Sequence, residues 1–493
     1  MSIEREQRRA IRDELIKLGV NPYPHTPKFT PIPLKEVVSN PRMGSTVTVA
    51  GRVVSVRRHG KLVFIDIVDD GVRIQCMLSK AVIGGEAFKW FLNYVDLGDF
   101  INVLGELMYT KKGELTINIR DYQLLAKALR SPPVKWGHRI VDPEVRYRKR
   151  YLDLMMTPQV RRVLEVRFKT IEEVRKFMWS KGYIEVETPV LQPVYGGAVA
   201  RPFKTHVWAL GEEWYLRISL ELYLKRLVVA GFNKVFEIGK NFRNEDIDAL
   251  HNPEFTMMES YEAYADYNNI MRLTEELIST VARNVIGGTK VTYPVNGSEV
   301  EIDLSPPYRR IRLVEGLKEF AGLDAEAMRD EDVKELLRVH GISLPGGFDR
   351  GKAIVKLFDK LVGREHLIQP TFVIDFPATS SPLTKPHRLN PEYAERFELY
   401  IGGVELANAY TELNDPVVQE EFFRREEERR KAGDTEAHPY DWDFIEALEY
   451  GMPPTGGLGV GIDRLVLILT GSTSIKEVIP FPMLKKPGQG PSK

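Results

Sequence analysis

The sequence predicts an α+β protein in which a strand-rich block precedes a larger, mainly antiparallel sheet flanked by helices. Apolar and polar residues alternate with period two through most of residues 46–127, as in half-buried strands. A short stretch containing proline and glycine, "RSPPVKWGH", then interrupts this pattern. Beyond it, strand-like runs outnumber the helices that could connect parallel strands, which favours α+β over α/β.

The composition is that of a globular protein with a large core. Its 493 residues are 43% hydrophobic and 28% charged, which predicts two or three domains. The 69 basic and 69 acidic residues balance, so a nucleic-acid site would have to be a local patch. Cys76 is the only cysteine, which excludes an internal disulfide and a cysteine-based metal site and suits a reducing cytoplasm.

Residues 1–45 predict a charged helix followed by a proline-rich segment. The helix, "MSIEREQRRAIRDELIKLGV", lacks the apolar centre of a signal peptide. No run in the chain reaches the ~18 apolar residues that cross a bilayer, so we expect no membrane contact. The basic helix suits RNA contact or a solvated surface equally well.

The block at residues 46–130 predicts five short strands, with turns at "RHGK", "DDG" and "KKGE". A short helix, "FKWFLNYV", falls between the third and fourth strands. This order fits an oligonucleotide-binding (OB) barrel, although another small barrel fits the composition as well. Cys76 falls in the third strand, where we expect a small buried residue.

Residues 131–145 predict a linker, and residues 146–493 a second domain. Its first helix, "VRRVLEVRFKTIEEVRKFMWSKG", has apolar residues at helical spacing and is ended by Gly182. The segment "YIEVETPVL" then predicts a strand with Pro189 near its end. Further strands are predicted at "WYLRISL", "KVFEIGKNF", "PEFTMMESYEAYA", "TFVIDFP" and "RFELYIGGVELANAY", and residues 325–366 predict a helical insertion.

The stretch "FRNEDIDALHNPEFTMMESY" places a carboxylate on an apolar strand face. Period-two alternation puts Phe255, Met257, Glu259 and Tyr261 on one side of the strand. A carboxylate there costs several kcal/mol unless it is paired or hydrated. Two interpretations stay open: a salt bridge to Arg243 or another neighbour, and a pocket whose aromatic walls surround one charge for a cationic ligand.

Gly402-Gly403 predicts a two-residue hairpin turn within "RFELYIGGVELANAYTELND". That turn pairs Tyr400 with Glu405 and Leu399 with Leu406. The strands on either side of the turn should therefore present alternating faces in a fixed register.

This register leaves Glu398 diagonal to Glu405 on one face. Two close carboxylates repel unless a cation joins them, and hard oxygen ligands suit Mg²⁺. Solvated glutamates on an exposed face are the alternative. Strict alternation places Asn408 and Glu412 on the opposite face, so a site shared by all four predicts a bulge near residues 406–408.

The segment "GLGVGIDRLVLILTG" predicts a glycine-rich strand that runs into a helix beginning near Asp463. Glycines let a ligand approach the backbone, the start of a helix favours anions, and Arg464 adds a fixed cation. The dinucleotide fingerprint has a different spacing and requires a βαβ unit. Tight strand packing is the alternative explanation of the glycines.

In this order, the blocks resemble the three signature motifs of class II aminoacyl-tRNA synthetases. The helix with "YIEVETP" resembles the first, which builds a dimer interface; the strand–loop–strand with Arg243 resembles the second, and "GLGVGIDRL" with Arg464 the third. Residues 22–483 resemble lysyl-tRNA synthetases in particular, through "GGAVARPFKTH", "YLRISLELYLKRLVVAGF", "HNPEFTMMESYEAYADY" and "ELANAYTELNDP". That family has Ala-Pro before its "ELYL", where this chain has Ser219-Leu220.

The resemblance implies a role for each matching residue. The α-amino group of lysine would be held by Glu221 and the backbone of Gly197, and its carboxylate by Arg243. The side-chain ammonium of lysine would be surrounded by Glu259, Tyr261 and Glu412, with Asn408 orienting the substrate. ATP would contact Arg243, Glu245, His251, Asn252, Phe255, Glu398, Gly459 and Arg464. Mg²⁺ would bind Glu398 and Glu405.

In the barrel, the resemblance implies anticodon contacts at Arg57, Phe64, Gln75 and Glu114. Aromatic stacking and hydrogen bonds to base edges are how single-stranded RNA is recognised. The loop before Phe64 is one residue shorter than in the bacterial family pattern. A place in the barrel core is the alternative for Phe64.

The implied activity is the ATP-dependent attachment of L-lysine to tRNA(Lys) through lysyl-adenylate, by a cytoplasmic homodimer. Arg243 and Arg464 would be the catalytic residues, since positioning and charge neutralisation suffice without a protein nucleophile. The alternatives are an aspartyl- or asparaginyl-type synthetase, a lysine-transferring enzyme that modifies proteins, and an inactive RNA-binding paralogue. Two glutamates in the pocket argue against the first, the barrel against the second and the retained arginines against the third.

Overall fold

The computed structural model describes residues 3–344, 346–434 and 437–486. The chain divides into two compact units between Arg161 and Arg162. Within the described ranges, every helix is too short or too polar to cross a membrane.

The first unit contains a closed five-stranded barrel, as the alternating pattern predicts. Its strands are β1 Thr46–His59, β2 Leu62–Asp69, β3 Val72–Ser79, β4 Phe100–Tyr109 and β5 Leu115–Ala126. They close in the order β1-β2-β3-β5-β4, and only the β3–β5 pair is parallel. Val63, Ile65 and Ile67 alternate into the barrel core, and the prediction that Cys76 is buried there is confirmed.

Six short helices accompany the barrel: α1 Ile3–Lys17, α2 Leu34–Ser39, α3 Lys80–Ile83, α4 Gly85–Tyr94, α5 Pro143–Arg148 and α6 Arg150–Met156. Helices α3 and α4 lie between β3 and β4, where a helix was predicted. The N-terminal helix packs on the barrel, because Leu15 is fully buried and Arg8 donates to the carbonyls of Leu97 and Ala128 over 2.8 and 3.1 Å. Arg9 and Lys17 of this helix are exposed.

The second unit is built on a mainly antiparallel sheet. Its strands are β6 Ile184–Glu185, β7 Leu191–Gln192, β8 Lys204–Val207, β9 Glu212–Leu216, β10 Lys234–Phe242, β11 Glu254–Ala263, β12 Lys290–Val295, β13 Ser298–Asp303, β14 Arg309–Arg312, β15 Thr371–Pro377, β16 Tyr393–Ile401, β17 Val404–Thr411 and β18 Thr455–Gly461. Within the described residues, eight of them form one sheet in the order β14-β15-β16-β17-β18-β11-β10-β6. Only its two edge pairs are parallel, so the predicted α+β class is confirmed.

The helices of this part of the chain are α7 Pro158–Ser180, α8 Glu221–Val229, α9 Tyr267–Ile286, α10 Leu313–Ala321, α11 Asp330–Val339, α12 Arg350–Phe358, α13 Arg364–His366, α14 Pro416–Lys431, α15 Trp442–Glu449, α16 Ile462–Thr470 and α17 Ile475–Val478. Helices α9 and α16 cover one face of the large sheet, and Met258 of β11 is fully buried against them. The opposite face of the central strands is therefore left for a site. The segment predicted as a helical insertion contains α11, α12, a π-helical turn at Asp359–Gly363 and α13.

Two strand predictions are wrong over most of their length. In "WYLRISL" only residues 214–216 belong to β9. In "YIEVETPVL" only β6 and the start of β7 pair with other strands. Between them, the N–H and Oγ1 of Thr188 both donate to Oε2 of Glu237, at 3.0 and 2.7 Å, and Pro189 has no N–H to give to a ladder. Side-chain hydrogen bonds therefore replace strand pairing there.

Candidate active site

A cavity of about 480 Å³ lies on the uncovered face of β11, β17 and β18. Most of the residues implied to bind lysine, ATP or metal line it: Gly197, Glu221, Arg243, Glu245, His251, Asn252, Phe255, Glu259, Tyr261, Glu405, Asn408, Glu412, Gly459 and Arg464. Glu398 is the exception, because it lies buried behind the wall next to Arg396, which does line the cavity. The structure thus brings together residues that are spread over more than 260 positions of the chain.

Strand β11 presents the face that its alternation predicts. Phe255, Met257, Glu259 and Tyr261 all line the cavity. Met258, between them, points into the apolar core. The carboxylate of Glu259 therefore sits on the wall of a pocket with aromatic and thioether neighbours.

The hairpin between β16 and β17 contains a bulge, so its register differs from the predicted one beyond Tyr400. Tyr400 pairs with Glu405 as expected, but Leu399 pairs with Ala407 and not with Leu406. The additional residue is accommodated between these two pairs, which is the bulge that a shared site requires. Glu405, Asn408 and Tyr410 consequently all line the cavity.

The bulge also aligns one row of side chains across the sheet. Glu398 is directly opposite Asn408, Asn408 is opposite Gly459, and Gly459 is opposite Glu259. Directly opposed residues of antiparallel strands share a face. The row therefore joins the residues implied for metal, ATP and lysine.

Three buried carboxylates, those of Glu221, Glu259 and Glu412, share one part of the cavity. Burial raises the pKa of Glu412 to about 8, and repulsion from the other two adds to the effect. Oε1 of Glu412 has no hydrogen-bond partner within the described residues. Gly457 on the neighbouring strand makes room for it, since a Cβ there would lie 1.9 Å from this oxygen. An unpaired buried carboxylate oxygen is a binding group for a cation.

Glu259 is held in place by hydrogen bonds from the start of α8. The Ser219 hydroxyl and the Leu220 N–H donate to its Oε1 at 2.9 and 3.0 Å, and the Tyr261 hydroxyl donates to Oε2 at 3.3 Å. Burial and repulsion from Glu221 raise the pKa of Glu259 to about 7, and the donors from Leu220 and Ser219 oppose that rise. The Ser-Leu pair that departs from the family's Ala-Pro thus supplies two donors that alanine and proline lack.

Two arginines provide positive charge in the same cavity. Nη1 of Arg464 donates to the carbonyl of Glu405 at 2.7 Å and lies 3.4 Å from its carboxylate. Arg243 places its guanidinium 5.0 Å from the centre of the Phe255 ring. Burial lowers the pKa of Arg243, while Glu245 and Glu405 raise it, and a guanidinium stays charged throughout.

The loop between β10 and β11 is organised by local hydrogen bonds. Both carboxylate oxygens of Asp248 contact Nδ1 of His251, at 2.9 and 2.8 Å. Nε2 of His251 lies 3.4 Å from Nη2 of Arg464. The side chain of Asn252 donates to the carbonyl of Glu254 and accepts from the N–H of Met483. The loop therefore has a defined shape next to the arginines.

Glu398 is engaged by a cation and a hydroxyl. Nη2 of Arg396 lies 2.5 Å from its Oε1, and the hydroxyl of Tyr400 donates to Oε2 at 2.9 Å. Burial raises the pKa of Glu398 to about 8, and Glu405 and Asp359 raise it further, against the effect of Arg396. Glu398 and Glu405 are thus close enough to repel. Among the described residues, no group of three or more histidine, cysteine, aspartate or glutamate side chains has the arrangement of a metal site.

The four residues implied for the anticodon lie close together on the barrel surface. Phe64 is opposite Arg57 in the β1–β2 pair and is half-buried, outside the barrel core. Nη2 of Arg57 donates to Oε1 of Gln75 at 3.0 Å. Glu114 accepts from Arg73 at 3.0 Å. Of these four residues, Arg57 and Glu114 are exposed, Phe64 is half-buried and Gln75 is buried.

An additional carboxylate connects this barrel surface, and sequence reasoning missed it. Asp66 accepts from Nη1 of Arg57 at 2.8 Å and lies 3.7 Å from Arg73. It is almost fully buried, in register with Gln75 across the β2–β3 pair. The alternation that places Phe64 outward also places Asp66 outward, so the signal was present.

Three residues around the cavity were also missed. Lys225 contacts Glu221 and Glu412, Arg396 contacts Glu398, and Nε2 of His438 accepts the N–H of Gly197. Lys225 follows Glu221 by four residues, a spacing that favours an ion pair within a helix such as α8. His438 carries no comparable signal.

Comparisons with known proteins agree with this architecture. The model for tRNA synthetases class II (D, K and N) matches residues 142–485, and that for the OB-fold nucleic acid binding domain matches residues 47–125. The predicted OB barrel is thereby confirmed.

Individual relatives match over most of their length. The lysine–tRNA ligase of Sulfolobus acidocaldarius is 53% identical, with 97% of this chain and 96% of that protein covered. That of Saccharolobus solfataricus is 51% identical with 97% of each covered, and that of Clostridium tetani 51% identical with 89% and 87% covered. This identity and coverage show the family: the chain belongs to the lysine–tRNA ligases among the class II tRNA synthetases.

Proposed function

We propose that the protein binds lysine and ATP in the cavity described above and forms lysyl-adenylate there. As a lysine–tRNA ligase, it attaches lysine to tRNA. The observation that carries this proposal is the buried Oε1 of Glu412, which lacks a hydrogen-bond partner in the described chain and lies beside Glu259 and Tyr261. A buried acceptor of this kind requires a hydrogen-bond donor, and the ammonium of lysine is a charged one. Apolar walls suit the aliphatic stem that leads to it.

The lysine substrate would lie with its side-chain ammonium among Glu259, Tyr261 and Glu412. Its α-amino group would contact Glu221 and the backbone of Gly197, and Asn408 would orient it. Its carboxylate would face Arg243, which lines the same cavity.

In the reaction, the lysine carboxylate attacks the α-phosphorus of ATP in line, and pyrophosphate leaves with the electrons of the broken bond. The terminal adenosine hydroxyl of tRNA then attacks the carbonyl carbon of lysyl-adenylate and AMP leaves. Arg243 would neutralise charge at the α-phosphate and Arg464 at the γ-phosphate. Pre-positioned cations of this kind stabilise a transition state without reorganisation.

ATP would occupy the part of the cavity formed by the β10–β11 loop and the start of α16. The adenine ring would stack on Phe255, and phosphates would meet the cations. The remaining contacts would come from Glu245, His251, Asn252, Glu398 and Gly459. The pairing of His251 with Asp248 orients its ring, so that Nε2 faces Arg464 and the cavity.

Lysine–tRNA ligases use ATP with a divalent metal ion, and the carboxylates of Glu398 and Glu405 fit Mg²⁺. They are hard oxygen donors that repel each other, and burial raises the pKa of Glu398 to about 8. When bound, Mg²⁺ would supply charge neutralisation for the ATP phosphates. Arg396 and Tyr400 already orient the Glu398 carboxylate.

On the barrel, Arg57, Phe64, Gln75 and Glu114 would contact the anticodon of tRNA(Lys). Phe64 offers a ring for base stacking beside hydrogen-bonding groups that can reach base edges. The network through Asp66 fixes the direction of Arg57.

A homodimer would form through the first motif. Phe168 and Trp179 on α7 and Ile184 on β6 each expose more than half of their surface, at 57, 51 and 51%. Large exposed apolar groups along one stretch of the chain are what an interface of this kind would cover. Sedimentation equilibrium should give twice the chain mass for the wild type and a lower mass for Trp179→Asp. A monomeric wild type would contradict this part of the proposal.

The activity is tested by ATP–pyrophosphate exchange with each of the twenty amino acids. Exchange should depend on lysine alone. Dependence on aspartate or asparagine would place the protein with its sister synthetases, and no exchange at all would indicate an RNA-binding paralogue. Since charged tRNA serves protein synthesis, we expect the activity in the cytoplasm.

A further inference from the structure

Lys225 is a fully buried lysine that contacts two carboxylates of the cavity from behind. Its Nζ lies 2.6 Å from Oε1 of Glu221, one helical turn earlier on α8, and forms an ion pair with Oε2 of Glu412 on the loop after β17. Glu221 and Glu412 line the cavity, whereas Lys225 does not. Burial lowers the pKa of Lys225, but the two carboxylates raise it by more than burial lowers it. The ammonium therefore stays charged.

The number of charges around the cavity has a simple consequence. Glu221, Glu259 and Glu412 bring three carboxylates into one buried region, where burial raises the pKa of each and mutual repulsion adds to the rise for Glu259 and Glu412. Buried charges are costly unless they are compensated. When all three are ionised, Lys225 compensates one of them, and two negative charges remain for a bound substrate. The lysine substrate carries two ammonium groups, and its carboxylate faces Arg243.

We propose that Lys225 is a positioning residue for lysine selection, which sets the pocket to two uncompensated negative charges and holds Glu221 and Glu412 in a fixed relation. This inference rests on the proposed lysine pocket. Glu221 would contact the α-amino group and Glu412 the side-chain ammonium. Through its two ion pairs, Lys225 therefore connects the groups that recognise the two ends of the substrate.

The test is a double-mutant cycle on the full-length protein, read by ATP–pyrophosphate exchange. Lys225→Met keeps an unbranched apolar side chain and removes the charge. We expect the KM for lysine to rise at least about tenfold, the KM for ATP to stay within about twofold, and kcat to fall less than the affinity does. Because Lys225 acts partly through Glu412, the same change in a Glu412→Gln background should raise the KM for lysine by less than about threefold.

The control is Lys127→Met in the barrel. Lys127 is also fully buried between two carboxylates, with Nζ 2.6 Å from Asp96 and 2.9 Å from Asp99. Its loss should lower the melting temperature of the protein and leave the KM for lysine in the exchange assay unchanged. A general effect of removing a buried lysine would instead change both variants alike and would overturn the proposal.

Lys225→Gln keeps hydrogen-bond donors without the charge. It is the second variant to measure if Lys225→Met does not fold. Calorimetry on either folded variant should show a weakened dissociation constant for lysine. If both variants bind lysine as the wild type does while Glu412→Gln has a raised KM for lysine, the role of Lys225 is refuted and the lysine pocket is not. Unchanged lysine binding in Glu412→Gln as well refutes the pocket. Fully additive effects in the cycle show that Lys225 does not act through Glu412 and also refute the proposal.

Discussion

The backbone N–H of Gly197 donates a hydrogen bond of 2.9 Å to Nε2 of His438. The Nδ1–H of the same ring donates to the carbonyl of Pro439 at 2.7 Å, and the ring stacks on Phe423 with centroids 4.7 Å apart. A carbonyl can only accept, so the proton is on Nδ1 and Nε2 is free to accept in the neutral ring. His438 therefore fixes the loop of Gly197 at the cavity only while it is uncharged.

This contact predicts a pH dependence. Burial lowers the pKa of His438, so the unfolded chain binds the proton more readily than the folded one. The stability from the neutral ring is complete above the ordinary histidine pKa of about 6.5 and is lost as the pH falls towards the folded-state pKa. We expect the melting temperature of the wild type to fall more steeply below about pH 6.5 than that of His438→Gln, whose Oε1 accepts but does not titrate. Parallel curves would contradict this.

Removing the two donors to Glu259 should weaken lysine binding in a pH-dependent way. The double variant Ser219→Ala, Leu220→Pro lacks both the hydroxyl and the N–H, and hydrogen bonds to a carboxylate lower its pKa. Since the pKa of Glu259 is already about 7, the variant should hold a protonated Glu259 at neutral pH. Its KM for lysine should be raised at about pH 7 and recover towards about pH 9. A KM ratio to wild type that is constant with pH would show that the donors do not act through Glu259.

Glu412→Gln tests the ammonium pocket directly. The change keeps the shape of the side chain and removes the carboxylate proposed to face the lysine ammonium. A hydrogen bond to a charged group is worth roughly 1.5–3 kcal/mol, so the KM for lysine should rise about tenfold or more while the KM for ATP changes little. Glu446→Gln, an exposed glutamate on α15, is the matched control and should behave as wild type. Unchanged lysine affinity in Glu412→Gln would refute the assignment.

Glu398→Gln and Glu405→Gln test the metal assignment. Each change removes one anionic oxygen donor, so exchange should slow and half-maximal rate should require more Mg²⁺. The measurement is the initial exchange rate as a function of Mg²⁺ concentration. Glu365→Gln, on the exposed side of α13, should leave that curve in place. If both variants have the wild-type curve, the two glutamates do not bind the metal.

Phe64→Ala tests whether the barrel recognises tRNA independently of the catalytic reaction. Stacking one base is worth roughly 1–3 kcal/mol, so kcat/KM for tRNA should fall about ten- to a hundredfold. Lysine-dependent exchange uses no anticodon and should stay near wild type. Ile65→Ala, which truncates the fully buried neighbour, should instead cost about 2–5 kcal/mol of stability. A stable Phe64→Ala protein that charges tRNA normally would refute the anticodon contact.

Local periodicity predicted much of the site because it is a property of each strand alone. Alternation along β11 was sufficient to place Glu259 and Tyr261 on the cavity face. The glycine pair at residues 402–403 fixed the start of the hairpin register. The bulge could be predicted only on the assumption that Asn408 and Glu405 belong to the same site, because strict alternation places them on opposite faces.

The contacts that the sequence did not predict are those made across long separations. His438 lies 241 positions after Gly197 in the sequence. Lys225 and Glu412, which form an ion pair, are also far apart along the chain. Such pairs exist only after helices and strands have packed, and no local pattern encodes them. The strand predicted at "YIEVETPVL" was wrong for a related reason, because Glu237 on a distant strand takes the hydrogen bonds of Thr188.

The row that runs from Glu398 through Asn408 and Gly459 to Glu259 restricts how this site can change over evolution. Backbone hydrogen bonds fix it, so inserting or deleting one residue within β17 or β18 would turn every later side chain of that strand to the other face. Such a change would remove several of the proposed substrate contacts at once. Substitutions along the row can alter the chemistry one position at a time, whereas changes in length are confined to the loops, such as the one between β10 and β11.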